Sequence, residues 1–342
     1  MKKYFLYELK KHLWTLVILT AVCALPYIVN SASFAMTYIW YPEYDGIKEG
    51  VAEMWVNDPQ LSFVFWELIF LLFIVPTIMY SFKMSKRGVD GYYSLPLKKE
   101  KLYFVSTMVG LILVLVPFTI SYWGGFLALL VRPDNPYQMA YYLPTYFAGV
   151  CFAIFLYGFN AFVFTRANRT SDGVIFMLAY AFVGMLAYEY VHSLCADYWG
   201  YMSYAIQSAF TFAGGMLEFM SEMSSKIAGH ESDFYYAGLW FATTIGFGVL
   251  GYALLFYLLR YEKGENAEQN SDSPFGYMAL IPVYLALGIG LGGEEVLGMI
   301  FMLVAAFVAT IVHKRTFRLK WKDLLPLGGG FVAGIVLMLI AL

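Results

Sequence analysis

Charged residues are scarce in this chain of 342 residues. They make up 13% of it, whereas 61% of its residues are apolar. A soluble domain carries about a quarter charged residues, so this composition excludes the ordinary soluble class. The apolar residues come in runs of about 20, the length with which an α-helix crosses roughly 30 Å of hydrocarbon, and they lack the alternation of membrane β-strands. The sequence therefore predicts an all-α polytopic membrane protein.

Motifs for catalysis and cofactor binding are also missing. The three cysteines, Cys23, Cys151 and Cys195, are too few and too scattered for a disulfide framework. The four histidines form no H-E-x-x-H pattern, and no paired cysteines accompany them. The chain has no G-x-x-x-x-G-K-[ST] phosphate loop, so it does not bind ATP in that way. We therefore expect no enzyme activity, catalytic residue, metal or cofactor in this chain, and no nucleic-acid partner.

Nine candidate membrane spans follow from the apolar runs. The seventh is short and is joined to the eighth by a tight polar link, so its assignment is the weakest. The spans cover roughly residues 13–30, 61–82, 102–130, 141–164, 174–194, 234–259, 277–291, 296–312 and 324–342.

The basic residues predict the orientation of these spans. Lys and Arg near span ends are retained on the cytoplasmic side. With the N-terminus inside, 19 of the 22 basic residues lie in inner segments, and only Lys48, Arg132 and Lys226 lie outside. An odd number of spans then leaves the C-terminus outside the cell.

Two further features lie outside the spans. Residues 1–12 carry Phe5 and Leu9 at helical spacing among lysines, which predicts an amphipathic helix on the inner membrane surface. The outer segments 31–60 and 195–233 are long. The second contains a helix-like stretch around Phe212 and Phe219 that is too short to cross, and we expect it to dip back into the outer leaflet.

Ionisable residues inside spans mark candidate positions on a translocation path, because a charge in the bilayer is costly. Glu67 lies in the second span, and Glu189 and His192 share one face of the fifth. They predict a polar patch in the outer half of such a path. The alternative is that Glu189 and His192 lie in the hydrated membrane interface and that Glu67 is protonated or hydrogen-bonded to a neighbouring helix.

The loop between the second and third spans, residues 83–101, has the most specific pattern. It reads SKRGVDGYYSLPLKKEKLY from Ser85 to Tyr103, with two glycines, a Ser-Leu-Pro turn and a run of lysines that leads into the third span. Together with the N-terminal helix and the long outer segment after the fifth span, it resembles the permeases of ABC-2 type ABC transporters of bacteria.

That resemblance implies a domain plan and a docking surface. It implies a six-span core at residues 13–263 in a bacterial cell membrane. The chain departs from this family plan after residue 263, where a polar linker at 264–276 precedes about three additional C-terminal spans at 277–342. In this family the surface helix and the 2–3 loop dock on a separate ATPase subunit, which holds ATP and Mg²⁺. The corresponding residues here are Phe5, Glu8, Lys10, Lys86, Arg87, Asp90, Tyr92, Ser94, Leu95, Pro96, Lys98 and Lys99.

The function that the resemblance implies is transport driven by partner subunits. A second permease subunit, identical or related, would complete a path whose aromatic and methionine-rich lining suits export of a lipid-like, amphipathic or peptide cargo. Two alternatives stay open: an ion-coupled secondary transporter, which needs carboxylates near the midplane, and a membrane scaffold or sensor that transports nothing.

Overall fold

The computed structural model describes residues 2–33, 37–40, 52–55, 61–131, 137–199, 208–209, 211–230, 234–262, 264–271, 273–292 and 296–341. Helices dominate these residues. They are α1 (Lys2–Lys11), α2 (Leu13–Ser33), α3 (Ser62–Tyr80), α4 (Lys86–Tyr93), α5 (Lys99–Leu130), α6 (Tyr142–Thr165), α7 (Thr170–Trp199), α8 (Gly214–Ala228), α9 (Ala237–Leu258), α10 (Tyr277–Gly292), α11 (Val296–Lys314) and α12 (Trp321–Ala341). Short 3₁₀ helices occupy Ser81–Met84, Met139–Tyr141, Leu259–Tyr261 and Gly264–Asn266.

Eight stretches of the described residues are helical, long and apolar enough to cross a membrane. They are Leu13–Ser31, Phe63–Met84, Lys99–Leu130, Met139–Thr165, Thr170–Val191, Ala237–Tyr261, Val296–Lys314 and Trp321–Ile340. The prediction of a polytopic helical membrane protein is confirmed at this level, and eight of the nine predicted spans have the required length.

The exception is α10, which has 16 residues and is about 24 Å long at 1.5 Å per residue. It nevertheless runs beside longer helices. At its start the Tyr277 hydroxyl donates to Asp172 of α7, and near its end Gly290 lies against Tyr190 of α7 and Leu337 of α12. The helix therefore follows most of the depth of the bundle although it is shorter than a typical span.

A two-stranded antiparallel sheet lies in the long segment between α2 and α3. Strand β1 (Thr37–Trp40) pairs with β2 (Ala52–Trp55), and Thr37 faces Trp55 in the register. The all-α prediction therefore holds for the helical bundle, and this small sheet outside the spans is an addition to it. Strands of four residues give no long periodic signal in the sequence.

The buried side chains form two hydrophobic clusters. The larger one extends from Leu19 of α2 to Leu280 of α10, and the smaller one comprises Leu285, Ile289, Ala306 and Leu327. Many large apolar residues on the spans are exposed instead, among them Trp14, Phe301 and Leu325. An apolar exterior of this kind is what lipid contact requires.

Glycines allow the C-terminal helices to pack closely. A Cβ atom on Gly330 of α12 would lie 2.7 Å from the Pro282 carbonyl oxygen of α10, and one on Gly334 would lie 2.8 Å from the Ile289 Cβ. Small residues at such contacts let helix backbones approach in membranes.

Helix α8 packs inside the bundle. Its Met216, Met220 and Ile227 are buried, and the Ile227 carbonyl accepts from the Gln138 amide at the start of the α6 region. Just before α8, the ring of Phe212 contacts Phe73 of α3 and Phe159 of α6, both well inside their helices. The described residues 211–230 thus pack against the spans α3 and α6. Whether this segment dips into the outer leaflet stays a prediction, and Phe210 lies outside the described residues.

Candidate functional site

The loop between the second and third spans folds as a short helix with a defined beginning. Ser85 has an extended backbone, and its hydroxyl accepts from the Gly88 amide at 3.1 Å, which caps α4. A Cβ atom at Gly88 would lie 2.3 Å from the Phe82 carbonyl oxygen, so this position has no room for a side chain. After α4, the Ser-Leu-Pro turn leads to Lys98, whose extended backbone starts α5.

Helix α4 is joined to the N-terminal helix α1. The Lys11 ammonium donates to the Tyr92 hydroxyl and lies 4.9 Å from the centre of that ring. The same ring stacks on Phe82 at a centroid distance of 4.2 Å. Glu8, which is 2% exposed, lies 3.6 Å from the Lys11 ammonium and 3.5 Å from His12 Nε2. The Lys11–Tyr92 contact therefore links α4 to α1.

The charged side chains of α1 shift each other's pKa values. Burial by itself raises the pKa of Glu8, but hydrogen bonding to His12 and the charge of Lys11 outweigh it and hold that pKa below its ordinary value. Burial alone lowers the pKa of Lys11, while the bond to Tyr92 and the charge of Glu8 raise it overall. Both groups are accordingly ionised at neutral pH.

A buried charge cluster connects four spans at the same end of the bundle. The Lys83 ammonium, at the end of the second span, is paired with the Glu262 carboxylate after α9 and donates to the Thr165 carbonyl at the end of α6. The Tyr103 hydroxyl of α5 donates to Glu262 Oε2 at 2.8 Å, and the Lys99 ammonium donates to the Glu262 carbonyl at 3.0 Å. We call Lys83, Tyr103, Thr165 and Glu262 the inner charge cluster, after the side on which the basic residues predict this end of the bundle to lie.

The segment 264–276, predicted as a linker, packs against this cluster and the loops around it. The Glu268 carboxylate accepts from the Lys86 amide of α4 at 3.2 Å, and the Glu268 carbonyl accepts from Arg169 Nε at 2.8 Å. The Ser271 hydroxyl donates to the Arg166 carbonyl at 2.9 Å. The described part of the segment therefore joins the 2–3 loop to the 4–5 loop. We call α1, α4 and residues 264–271 the platform.

The structure divides the predicted coupling residues into two groups. One group makes contacts inside the protein: Phe5 and Leu95 are half-buried, Glu8 is buried, Tyr92 contacts Lys11, and Lys99 bonds to the Glu262 carbonyl. The other group is exposed on the platform and the turn after it, and it comprises Lys10, Lys86, Arg87, Asp90, Ser94, Pro96 and Lys98. The side chains of the second group thus face solvent, while those of the first make contacts within the protein.

The predicted path residues lie at the other end of the bundle. Glu67 of α3 accepts from the Ser121 hydroxyl of α5 at 2.7 Å, and its other carboxylate oxygen is buried without a hydrogen bond within the described part of the chain. Glu189 is half-buried near the end of α7, where its neighbour Tyr190 donates to the Leu337 carbonyl of α12. The side chain of His192 lies outside the described residues. Glu67 thus lies at the contact of α3 with α5, and Glu189 lies near the end of α7, next in sequence to the Tyr190 that bonds to α12.

The sequence pattern marks Lys83 and Arg166 only as signals of orientation and does not predict the inner charge cluster. The signal that could have found it is Glu262, an acid that directly follows a span. An acid at such a position is a candidate partner for a lysine within the last turn of another span.

The fold and this site define a class: a multi-span helical membrane protein with a structured charged platform at one end. No family model, curated protein or solved structure matches the chain.

Proposed function

We propose that the chain is the membrane-spanning subunit of an ABC transporter of the ABC-2 type, which exports a lipid-like, amphipathic or peptide cargo by alternating access. The proposal starts from the resemblance of the 2–3 loop. The chain has no phosphate loop of its own, so separate ATPase subunits with ATP and Mg²⁺ would supply the energy. A second permease subunit, identical or related, would complete the path.

The observation that carries this proposal is that α4 has one face exposed to solvent and the other in contact with the rest of the protein. Its outer face presents Arg87 and Asp90 to the solvent, while Tyr92 on its inner side is stacked on Phe82 and bonded to Lys11. A shift of the exposed face would therefore be passed through Tyr92 to α1 and to the end of the second span. Small shifts at such a contact can move packed helices between discrete arrangements.

The inner charge cluster extends the same connection. Because Glu262 bonds to Lys83 and to Tyr103, the ends of three spans are held to one carboxylate. A displacement of the platform would be shared among these spans, which is what coupling to a path between them requires.

Copurification tests the proposal. The full chain is expressed in its native host with an affinity tag, purified in mild detergent, and the copurifying proteins are identified. The variant Arg87→Glu/Lys98→Glu reverses two exposed charges near the Ser-Leu-Pro turn. The matched control, Arg318→Glu/Lys320→Glu, reverses two exposed charges in the loop between α11 and α12.

We expect an ATPase subunit to copurify with the wild type and the control, and to be lost or to hydrolyse ATP without transport in the Arg87/Lys98 variant. Absence of any ATPase from the wild-type complex, under conditions that preserve other ABC assemblies, contradicts the proposal. Equal binding and transport in both variants would leave the permease role intact but remove α4 as the docking surface.

Ion-coupled transport is the second candidate, and Glu67 is the observation that favours it. A carboxylate with one unbonded oxygen inside a span is a typical ion or proton site. Proteoliposomes that contain only this chain separate the two functions. Gradient-driven uptake that is lost in Glu67→Gln supports ion coupling, whereas the ABC proposal requires no transport until the ATPase is added.

A further inference from the structure

A cavity of about 390 Å³ opens beside the inner charge cluster. Its wall is made by the ends of α6 and α9 and by residues of 266–271 and 273–275, and it includes Lys83, Arg166, Asn168, Gln269, Asn270 and Ser273. Small-molecule sites typically have volumes of about 300–1,000 Å³. The cavity is thus large enough for a ligand, and its wall carries several groups that can donate hydrogen bonds.

The charges of the described lining residues do not cancel. The charged ones are Lys83, Arg166 and Glu262. Glu262 is already paired with Lys83, so the described part of the wall holds no second carboxylate to match Arg166. A cation held away from water is costly unless an anion or hydrogen-bond acceptors compensate it.

The Arg166 guanidinium makes only two contacts that the described part of the chain shows. One terminal nitrogen lies 3.3 Å from the Thr165 hydroxyl, and the guanidinium lies 5.5 Å from the centre of the Phe162 ring. Its Nε is buried and has no hydrogen-bond partner within the described part of the chain. Burial lowers the pKa of Arg166, an effect that the nearby Glu262 opposes, and an arginine stays protonated at neutral pH despite such a shift.

We propose that this cavity binds a phosphate group, with Arg166 as its main ligand. The planar guanidinium matches phosphate oxygens in a forked geometry. The position fits this ligand, because Thr165 and Tyr261 are the last residues of two candidate spans, and basic pockets between helices at that level bind phospholipid headgroups. A soluble phosphate compound has the same chemistry and reaches the same opening. The site does not depend on the transport proposal.

Binding to the purified full chain in dodecyl maltoside, a phosphate-free detergent, tests this site. The lipid arm titrates dioctanoyl phosphatidylglycerol against dioctanoylglycerol, which has the same chains and no phosphate. The soluble arm titrates sodium phosphate against sodium chloride at equal ionic strength. The thermal midpoint is followed in both arms, and native mass spectrometry counts the lipid molecules bound.

Three variants and one control carry the test. Arg166→Gln removes the charged ligand. Gln269→Glu adds a carboxylate at an exposed position in the wall, and Gln269→Ala removes only its bond to the Glu265 carbonyl. Arg260→Gln, the control, removes an exposed charge near the cavity that does not line it.

We expect saturable binding of one phosphate probe to the wild type, Arg260→Gln and Gln269→Ala, and binding about tenfold weaker or worse in Arg166→Gln and Gln269→Glu. The arm that saturates identifies the source as lipid or soluble phosphate. If neither probe binds saturably to the wild type, the proposal is wrong. If Gln269→Glu binds as tightly as Gln269→Ala, the bound phosphate lies elsewhere and the proposal is also wrong, even where Arg166→Gln does not fold.

Discussion

Lys83, at the end of the second span, and Glu262, which directly follows the candidate span Ala237–Tyr261, form a buried ion pair. Their side chains are 8% and 6% exposed, and the two residues are separated by most of the chain that forms the larger hydrophobic cluster. The pair also links two further helices at this end of the bundle, because Lys83 donates to the Thr165 carbonyl and Glu262 accepts from the Tyr103 hydroxyl. Its integrity should therefore decide the stability of this end.

Breaking one side of this pair should be far more harmful than removing both. We expect Glu262→Gln or Lys83→Met to lower the free energy of unfolding by about 3–5 kcal/mol, because each leaves a buried charge uncompensated. The double variant Lys83→Met/Glu262→Gln should recover part of that loss. Thermal unfolding in detergent, read as a double-mutant cycle, measures the coupling.

The Lys314–Asp323 pair is the control for that cycle. Its side chains are 26% and 16% exposed and its closest atoms are 3.2 Å apart, so we expect a coupling of about 1 kcal/mol or less. Equal coupling in the two pairs would show that the inner charge cluster has no special role.

Acid should loosen α1 through Glu8. Its pKa is held below its ordinary value of about 4.3, so its ionised form stabilises the fold above that value, and the contribution is lost as pH falls through the lowered pKa. We expect amide hydrogen exchange in α1 to accelerate below about pH 4.3. Glu8→Gln should exchange faster at neutral pH and show little further change in acid; an unchanged acid response in Glu8→Gln would assign the effect to another group.

Glycine is required at one position of α4 and not at the other. Gly88→Ala places a Cβ atom against the Phe82 carbonyl, and we expect it to cost about 1–3 kcal/mol and to loosen the platform. A Cβ atom on Gly91 meets nothing within 4 Å, so Gly91→Ala should be neutral or slightly stabilising. Limited proteolysis at the 2–3 loop distinguishes them, and the same cleavage rate in both variants would refute the assignment.

A comparison of Gly→Ala variants at a crowded and an open position also tests the contact between α10 and α12. Gly330→Ala would bring a Cβ atom to 2.7 Å from the Pro282 carbonyl oxygen, whereas Gly329 faces open space. We expect Gly330→Ala to lower the thermal midpoint by the equivalent of about 1–3 kcal/mol and Gly329→Ala to change it by less than about 0.5 kcal/mol. A larger loss in Gly329→Ala would mean that α12 presents another face to α10.

The spans could be predicted because their signal is local. A run of about 20 apolar residues predicts a crossing helix whatever it packs against, and eight of the nine runs gave helices of that length. The short seventh run gave α10, whose place beside α7 and α12 depends on contacts of Tyr277 and Gly290 that composition does not encode. The pair of strands near Thr37 was missed, since four-residue strands leave almost no periodic pattern.

The candidate site could be predicted only in part. The 2–3 loop drew attention through Gly88 and the Ser-Leu-Pro turn, but the same pattern could not separate exposed Lys98 from Lys99, which bonds to the Glu262 carbonyl. Adjacent residues in a turn point in different directions, and which one finds a partner depends on a segment 163 residues away.

The sequence by itself determined the class of this protein: its apolar runs require a membrane, and its basic residues predict which ends face the cytoplasm. Only the tertiary structure decided how the charges pair. Lys83, Arg166 and Glu262 are far apart in the chain, and they meet because spans of similar length end at the same depth. Charges at that depth lose water and must find partners among themselves or in a ligand, and this is the physical reason that the inner charge cluster and its cavity appear only in the folded chain.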